Sequence, residues 1–270
     1  MKQQVLNLLM ATVDAVMAVI PRPVPVASAL RNCKIISHRG EFDNRSVMEN
    51  TLPAFLNARA AGVWGIECDI RFTRDLVPVI CHDADAARVF GSDIVLASTD
   101  FAALRTALPG IPTLEELIVE FGGNTHLMLE VKEFSPERLQ EQREALAQSL
   151  ATLQPVQDFH ILSLDVERFT LVDFLPPKVF LPVAETNVSS MSEISLARGY
   201  RGLSGHYLLL TEKLRQRHTN AGQIIGTGFP RSRNCLFREL NRGIEWIFSN
   251  DATHLQEILN QALGQLEQYD

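Results

Sequence analysis

The residues best suited to chemistry are concentrated in one short span. Gly65–Asp83 reads G-I-E-C-D-I-R-F-T-R-D-L-V-P-V-I-C-H-D, with Glu67 and Asp69 two positions apart and His82 shortly after. Ile66, Cys68 and Ile70 alternate with Glu67, Asp69 and Arg71, which is the period of a β-strand, so both carboxylates project from one face. The gap before Pro78-Val79-Ile80-Cys81 is too short for a parallel crossover, so the chain is expected to return as a hairpin centred near Asp75. That pairing sets His82 roughly opposite Asp69. On this span alone, two acids on the solvated side of an edge strand would fit as well as a metal site.

Other charged residues shift that balance. His38-Arg39 follows the apolar run Lys34–Ser37, and Glu130 and Lys132 end the run His126–Val131. Glu67, Asp69 and Glu130 offer three hard oxygen ligands of the kind Mg²⁺ and Ca²⁺ prefer. Held together without a cation, three carboxylates would raise one another's pKa. Arg39 and Lys132 beside a metal make a natural phosphate clamp. His38 and His82 are an imidazole pair able to act as base and acid on a P–O bond. Each residue taken singly has a plainer reading, as a loop histidine, a paired arginine or a solvated lysine. Their coincidence at strand ends favours a site.

The elements that must position them alternate regularly. Leu52–Ala61 reads as a helix with Thr51 as N-cap and Gly62 as its stop, and Thr113 with Glu116 forms a capping box for the next helix. Residues 84–112 read as an irregular excursion. Further strands are expected at Phe159–Leu162, Lys178–Val183, Arg201–Gly205, Gln223–Thr227 and Glu245–Phe248, with helix-length segments between them. Apart from the hairpin return, this gives eight strands, each followed by a helix, which predicts a parallel sheet closed as a (β/α)8 TIM barrel. Barrel strands share one C-terminal mouth, so His38-Arg39, Glu67/Asp69 and Glu130/Lys132 would converge there. A doubly wound open sheet is the alternative, weakened by the lack of G-x-G-x-x-G after the first strand.

Residues 1–30 stand apart as an N-terminal helical extension to the barrel of residues 31–270. Val5, Leu8, Leu9, Val13, Val16, Met17 and Ile20 fall near helical spacing before Pro21, Pro23 and Pro25 end it. A helix docked on the barrel or on a second copy is the leading reading. Membrane-surface contact through residues 1–20 is less favoured because Lys2 is the only cation there. Ala27-Ser28-Ala29 resembles a signal cleavage site, so export is the alternative to a cytoplasmic location, although Asp14 interrupts the apolar run.

Composition sets outer limits. With 46% apolar and 21% charged residues, the chain has ordinary globular content. A formal net charge of -7 without a basic block argues against nucleic acid, and it leaves any attraction for an anionic substrate to local cations. Cys33, Cys68, Cys81 and Cys235 show no zinc spacing and read as reduced thiols, with Cys68 and Cys81 as small buried fillers.

The motifs H-R-G at 38–40, E-N-T-L-P-A-F at 49–55, G-I-E-C-D-I at 65–70, T-R-D at 73–75, P-V-I-C-H-D at 78–83, I-P-T-L-E-E-L at 111–117 and L-E-V-K at 129–132 resemble the glycerophosphodiester phosphodiesterase family. The resemblance is dense over 34–132 and sparse afterwards. It implies a TIM barrel, one divalent metal ion (Mg²⁺ or Ca²⁺), and hydrolysis of a small-molecule glycerophosphodiester to an alcohol and glycerol 3-phosphate. By position it makes Glu67, Asp69 and Glu130 metal ligands, His38 and His82 the acid/base pair, and Arg39 and Lys132 the phosphate clamp; which histidine is base and which acid stays open, with His38 as base and His82 as acid the working assignment. It puts Glu49 in or next to the metal's ligand sphere. A substrate hydroxyl would attack first and give a cyclic phosphate. Lysophospholipase D-type activity is the rival reading, and a non-catalytic phosphate-binding barrel is a third. The chain departs from the family pattern at Met48, where a proline is usual, and at Gly226-Thr227-Gly228 in place of W-T-V, which would remove an apolar wall of the pocket.

Overall fold

The computed structural model describes residues 13–267. Its strands are β1 (Lys34–His38), β2 (Gly65–Phe72), β3 (Pro78–Ile80), β4 (His126–Val131), β5 (Phe159–Ser163), β6 (Phe180–Ala184), β7 (Gly202–His206), β8 (Ile224–Gly228) and β9 (Trp246–Ser249). They are ordered β1-β9-β8-β7-β6-β5-β4-β2, and β1 pairs with β2 to close the ring. All pairs in that ring are parallel, while β3 pairs antiparallel with β2. The expected eight-stranded barrel with a hairpin is therefore the fold.

β2 is the longest strand, and its length explains the hairpin. Its first residues, Gly65–Glu67, pair with β1 on one edge, whereas Ile70–Phe72 extend past the end of β1. On that vacated edge β3 pairs, Ile70 with Ile80 and Phe72 with Pro78. The turn falls at Thr73–Leu76, where Thr73 Oγ1 donates to Asp75 Oδ1 at 2.6 Å. This register sets Cys81, not His82, level with Asp69, whose carbonyl accepts from the Cys81 N–H at 2.9 Å.

Two-residue periodicity divides the barrel into an outer core and an interior. Ile66, Cys68 and Ile70 of β2 and Leu127, Leu129 and Val131 of β4 pack outward with Phe55, Leu117, Phe121 and Leu146 of the surrounding helices. Inside the ring, Ile36, Met128, Leu162, Leu181, Trp246 and Phe248 form a separate cluster. At the base, His126 Nε2 meets His160 Nδ1 at 2.8 Å, and Trp64 stacks on His126 with centroids 4.2 Å apart. This plug fills the base of the barrel, and the clustered charged side chains lie at the opposite mouth. Cys68 belongs to the outer core and Cys81 to a satellite cluster with Val79, Leu96, Leu104 and Ile111, so these buried free thiols do not face each other across the hairpin.

The capping box forms as expected: Thr113 Oγ1 accepts from Glu116 N at 3.0 Å, and Glu116 Oε2 accepts from Thr113 N at 2.8 Å. Thr51 occupies the N-cap position of the helix Leu52–Ala60, yet its hydroxyl donates to Met48 O at 2.7 Å and caps nothing. The excursion 84–112 is more regular than its composition suggests. It carries the short helices Ala87–Phe90 and Phe101–Ala107 and a 3₁₀ turn at Leu96–Ser98, laid over the satellite cluster.

Residues 13–19 are helical, and the segment after them runs along the helix Arg233–Asn241. Asn234 Nδ2 donates to Ala18 O at 2.7 Å, and Asn241 Nδ2 donates to Pro23 O at 2.9 Å. A second short helix, Ala27–Arg31, buries Leu30 against the outer core. The described part of the extension thus docks on the barrel itself. Residues 1–12, which carry the rest of the expected amphipathic run, lie outside the described residues. No described helix is long and apolar enough to cross a membrane.

Candidate active site

Where β1 ends at the mouth, the chain turns sharply through Arg39 and Gly40, with φ of 60° and 85°. Gly40 is required twice over: its φ is left-handed, and a Cβ there would lie 2.7 Å from the Ala54 backbone carbon. The turn points the Arg39 N–H at Glu67 Oε2, 3.2 Å away, and sends its side chain across the mouth. Gly40→Ala is therefore expected to destabilise the fold by about 1–3 kcal/mol, read as a lower denaturation midpoint in urea.

The three carboxylates predicted as a group do meet. Oxygen atoms of Glu67, Asp69 and Glu130 lie within 4.8 Å of one another, and all three residues are buried. An edge-strand reading is thereby excluded, because β2 lies inside the closed ring and these side chains point into it. Burial, with the charges of Asp69 and Glu130, pushes the Glu67 carboxyl well above its ordinary range. Burial and Asp69 push Glu130 up as well. Asp69 is held down in spite of its burial, because Lys132 and Arg39 flank it. Lys132 Nζ stands 3.1 Å from Asp69 Oδ1 and 2.9 Å from Glu130 Oε1, and Arg39 Nε stands 3.2 Å from Asp69 Oδ2. Asn50 Nδ2 donates to the same Asp69 oxygen at 2.7 Å. Glu67 Oε1 is buried without a hydrogen-bond partner. A buried carboxylate oxygen with no donor, in a cluster of like charges, is a donor set that fits a divalent cation.

Glu49 stands behind this group. Its carboxylate accepts from Arg39 Nη1 at 2.9 Å, from Asn44 Nδ2 at 2.8 Å, and from Arg88 Nη2 and Nη1 at 2.7 and 3.0 Å. It is fully engaged with cations and an amide, and it is not among the three clustered acids.

Both histidines reach the mouth, each with a different partner. His38 Nδ1 lies 2.6 Å from Asn250 Oδ1, and its Nε2 lies 3.7 Å from Glu67 Oε2. The amide oxygen accepts, so Nδ1 carries the proton and the Nε2 lone pair faces the acids. Burial, with the charge of Arg39, lowers its pKa to about 4, which keeps the ring neutral near pH 7. Its edge packs on Phe229, with centroids 4.9 Å apart. His82 Nδ1 instead meets Asp83 Oδ1 at 2.7 Å, and Arg71 Nε pins the His82 carbonyl at 2.8 Å. Burial lowers the His82 pKa too, while Asp69 and Asp83 oppose that shift.

The mouth opens into a cavity of about 580 Å³ lined by His38, Arg39, Glu67, His82, Glu130 and Lys132. Across from them Leu162, Val183, Leu209, Phe229 and Phe248 supply apolar lining, beside Glu185, His206 and Arg231. A wall was expected to be missing at Gly226, but the space is filled from another strand: a Cβ at Gly226 would lie 2.9 Å from the Phe248 ring. Asp14 of the N-terminal segment also lines the cavity and accepts a hydrogen bond from the Tyr207 hydroxyl. Asp83, Arg88, Asn250, Phe229 and Asp14 were not singled out by sequence reading. Asp83 had a local signal, since it directly follows His82; the others are brought in only by barrel closure or by loops.

A family model described as the glycerophosphoryl diester phosphodiesterase family matches residues 38–199. Glycerophosphodiester phosphodiesterase 1 of Mus musculus is 34% identical over 117 residues, covering 36% of this chain and 35% of that protein. A probable glycerophosphodiester phosphodiesterase 2 of Mycobacterium tuberculosis is 38% identical over 87 residues, covering 31% of this chain and 33% of that protein. The chain thus spans about a third of the length of the curated relatives it matches. Among solved structures, a putative glycerophosphodiester phosphodiesterase from Galdieria sulphuraria is similar with a TM-score of 0.72 and 21% identity, over 84% of this chain and 98% of that one. An Oleispira antarctica phosphodiesterase, solved with its product sn-glycerol-3-phosphate, is similar with a TM-score of 0.69 and 23% identity, over 84% of this chain and 96% of that one. These two likenesses carry the fold. The family match runs from the end of β1 to just past the helix Val188–Ala197 and takes in both histidines and all three clustered acids; the chain belongs to the glycerophosphoryl diester phosphodiesterase family.

Proposed function

We propose that this protein hydrolyses glycerophosphodiesters to an alcohol and glycerol 3-phosphate, using one divalent cation, Mg²⁺ or Ca²⁺. The observation that carries the reading is the buried trio Glu67, Asp69 and Glu130, flanked by Arg39 and Lys132 and faced by two imidazoles across one cavity. The trio would hold the cation, which when bound supplies charge stabilisation for the phosphoryl oxygens. Arg39 and Lys132 would grip the non-bridging oxygens, each already oriented by Asp69. His38 is suited to the base: it is neutral, with Nδ1–H spent on Asn250 and Nε2 open to a substrate hydroxyl. His82 is the better suited of the two to the acid, because a carboxylate behind Nδ1 opposes the downward pull of burial on its pKa, which His38, backed by an amide oxygen, lacks. As the hydroxyl next to the phosphate attacks, His38 Nε2 takes its proton, and His82 Nε2 gives one to the departing alkoxide. Water then opens the cyclic phosphate with the two roles exchanged.

A second reading, a diester whose alcohol or glycerol carries an acyl chain, draws on the apolar lining of Leu162, Val183, Leu209, Phe229 and Phe248. Hydrolysis is therefore to be measured on glycerophosphocholine and lysophosphatidylcholine, each with Mg²⁺, with Ca²⁺ and after chelation. The expected result is metal-restored release of choline from glycerophosphocholine. Full activity after exhaustive chelation would overturn the metal role. Binding of glycerol phosphate with no turnover of either diester would leave a phosphate-binding barrel.

A further inference from the structure

Arg88 lies on the short helix Ala87–Phe90, in the excursion that leaves the barrel after the hairpin. Its guanidinium bridges two carboxylates that serve different parts of the site. Nε donates to Asp83 Oδ2 at 2.6 Å, and Asp83 Oδ1 in turn meets His82 Nδ1 at 2.7 Å. Nη2 and Nη1 donate to Glu49 Oε1 and Oε2 at 2.7 and 3.0 Å, and Glu49 Oε1 accepts from Arg39 Nη1 at 2.9 Å. The path His82–Asp83–Arg88–Glu49–Arg39 is unbroken and ends at Asp69, 3.2 Å from Arg39 Nε.

What this path fixes follows from what is otherwise free. Arg71 already anchors the His82 carbonyl, so the backbone does not need Arg88. The imidazole itself can still rotate about its side-chain torsions, and only Asp83 holds Nδ1. Asp83 is partly exposed and would turn away without a second tether. A planar guanidinium offers its N–H groups in a rigid fork, so bridging two carboxylates sets their relative angle as well as their distance; a lysine could not do this. Arg88 itself is half-exposed while Glu49 is buried and keeps Arg39 and Asn44 as partners, so loss of Arg88 costs some stability, and the effect on the reaction is read separately from it.

We propose that Arg88 is a positioning residue for the reaction: anchored on Glu49, which Arg39 and Asn44 hold from the other side, it fixes Asp83 and through Asp83 the His82 imidazole, keeping the proton donor aimed at the leaving group. The inference rests on the reading of His82 as the acid, which gives its proton to the alkoxide oxygen as the P–O bond to the alcohol breaks. A misaimed acid slows departure of a basic alkoxide far more than departure of an acidic phenol, which needs no proton.

The test compares glycerophosphocholine with the p-nitrophenyl diester of glycerol 3-phosphate, which share the attacking half and differ in leaving group. Arg88→Ala is expected to lower the single-turnover rate of alcohol release from the choline diester by about 10²-fold, the cost of a small misplacement, and from the aryl diester by less than about fivefold; the later opening of the cyclic phosphate is common to both. Asp83→Asn should give the same pattern. Arg88→Ala combined with His82→Ala should be no slower than His82→Ala alone, because residues acting as one unit are not additive. If Arg88→Ala does not unfold cooperatively, Arg88→Gln is measured in its place. An equal loss on both diesters, an unchanged release rate on the choline diester, or the pattern in Asp83→Asn alone would overturn the proposal. If the unaltered protein turns over neither diester, the proposed function falls and this inference falls with it.

Discussion

Glu67→Gln is expected to abolish metal binding and turnover together while leaving the fold intact. The amide is isosteric and removes one of three clustered negative charges. In metal-free protein that relieves repulsion, because burial and the charges of Asp69 and Glu130 push the Glu67 carboxyl up. The substitution also disturbs few hydrogen bonds: Oε1 has no partner, and Oε2 accepts only from the Arg39 backbone N–H at 3.2 Å. Metal-free Glu67→Gln should therefore melt at or above the metal-free unaltered protein. The contrast lies in the response to ligand. A cation at a hundred times its Kd stabilises a folded site by about 2.7 kcal/mol, so Mg²⁺ or Ca²⁺ should raise the melting temperature of the unaltered protein and leave that of the variant flat. A metal-dependent rise retained in Glu67→Gln would remove Glu67 from the ligand set.

The two histidines should show losses of similar size but different character. His38→Ala and His82→Ala are each expected to lower kcat on glycerophosphocholine by about 10²–10⁴-fold, the range for a proton-transfer group. Loss of the base should persist whatever alcohol departs, since the attacking hydroxyl is unchanged. Loss of the acid should largely vanish in the single-turnover release of the phenol from an aryl diester, the step that precedes opening of the shared cyclic phosphate. The partners predict that His38→Ala follows the first pattern and His82→Ala the second: an amide oxygen backs His38 at 2.6 Å and a carboxylate backs His82 at 2.7 Å. A reversal would exchange the two roles. A drop below tenfold for His82→Ala would take it out of the mechanism.

The parts of the molecule that could be read from sequence were those governed by short-range periodicity. Alternation within β2 and β4 was enough to separate Glu67, Asp69, Glu130 and Lys132 from their apolar neighbours, because a strand has only two faces. The count of strand–helix pairs then favoured closure over an open sheet, and closure brought His38 to the same mouth. Hairpin length put His82 nearby but missed its register by one residue, since pairing with β3 depends on where β1 stops, which has no local signature. Other features were hidden for the same reason. Asn250 reaches His38 from the opposite end of the chain, and Arg88 reaches Glu49 from a stretch whose composition reads as loop. Thr51 occupied its anticipated position but used its hydroxyl elsewhere, because the Met48 carbonyl lay closer to hand. The wall thought absent at Gly226 is a matter of packing between strands: Phe248 supplies from β9 what β8 lacks.

The cavity's lining has a consequence for how such a molecule can change. Its clustered acids, the flanking Arg39 and Lys132 and both histidines come from residues 38–132, while its apolar side chains come from residues 162–248, beside Glu185, His206 and Arg231, with Asp14 joining from ahead of the first strand. On the proposed reading, the reacting groups and much of the surface facing the alcohol thus come from opposite half-barrels. Substitutions at Val183 or Leu209 can redraw which alcohol is held without touching the acids and imidazoles, whereas Phe229 packs on the His38 ring. A graft of the later half onto a related first half would retune selectivity while sparing the reaction if it keeps Phe229 and Asn250, which contact His38.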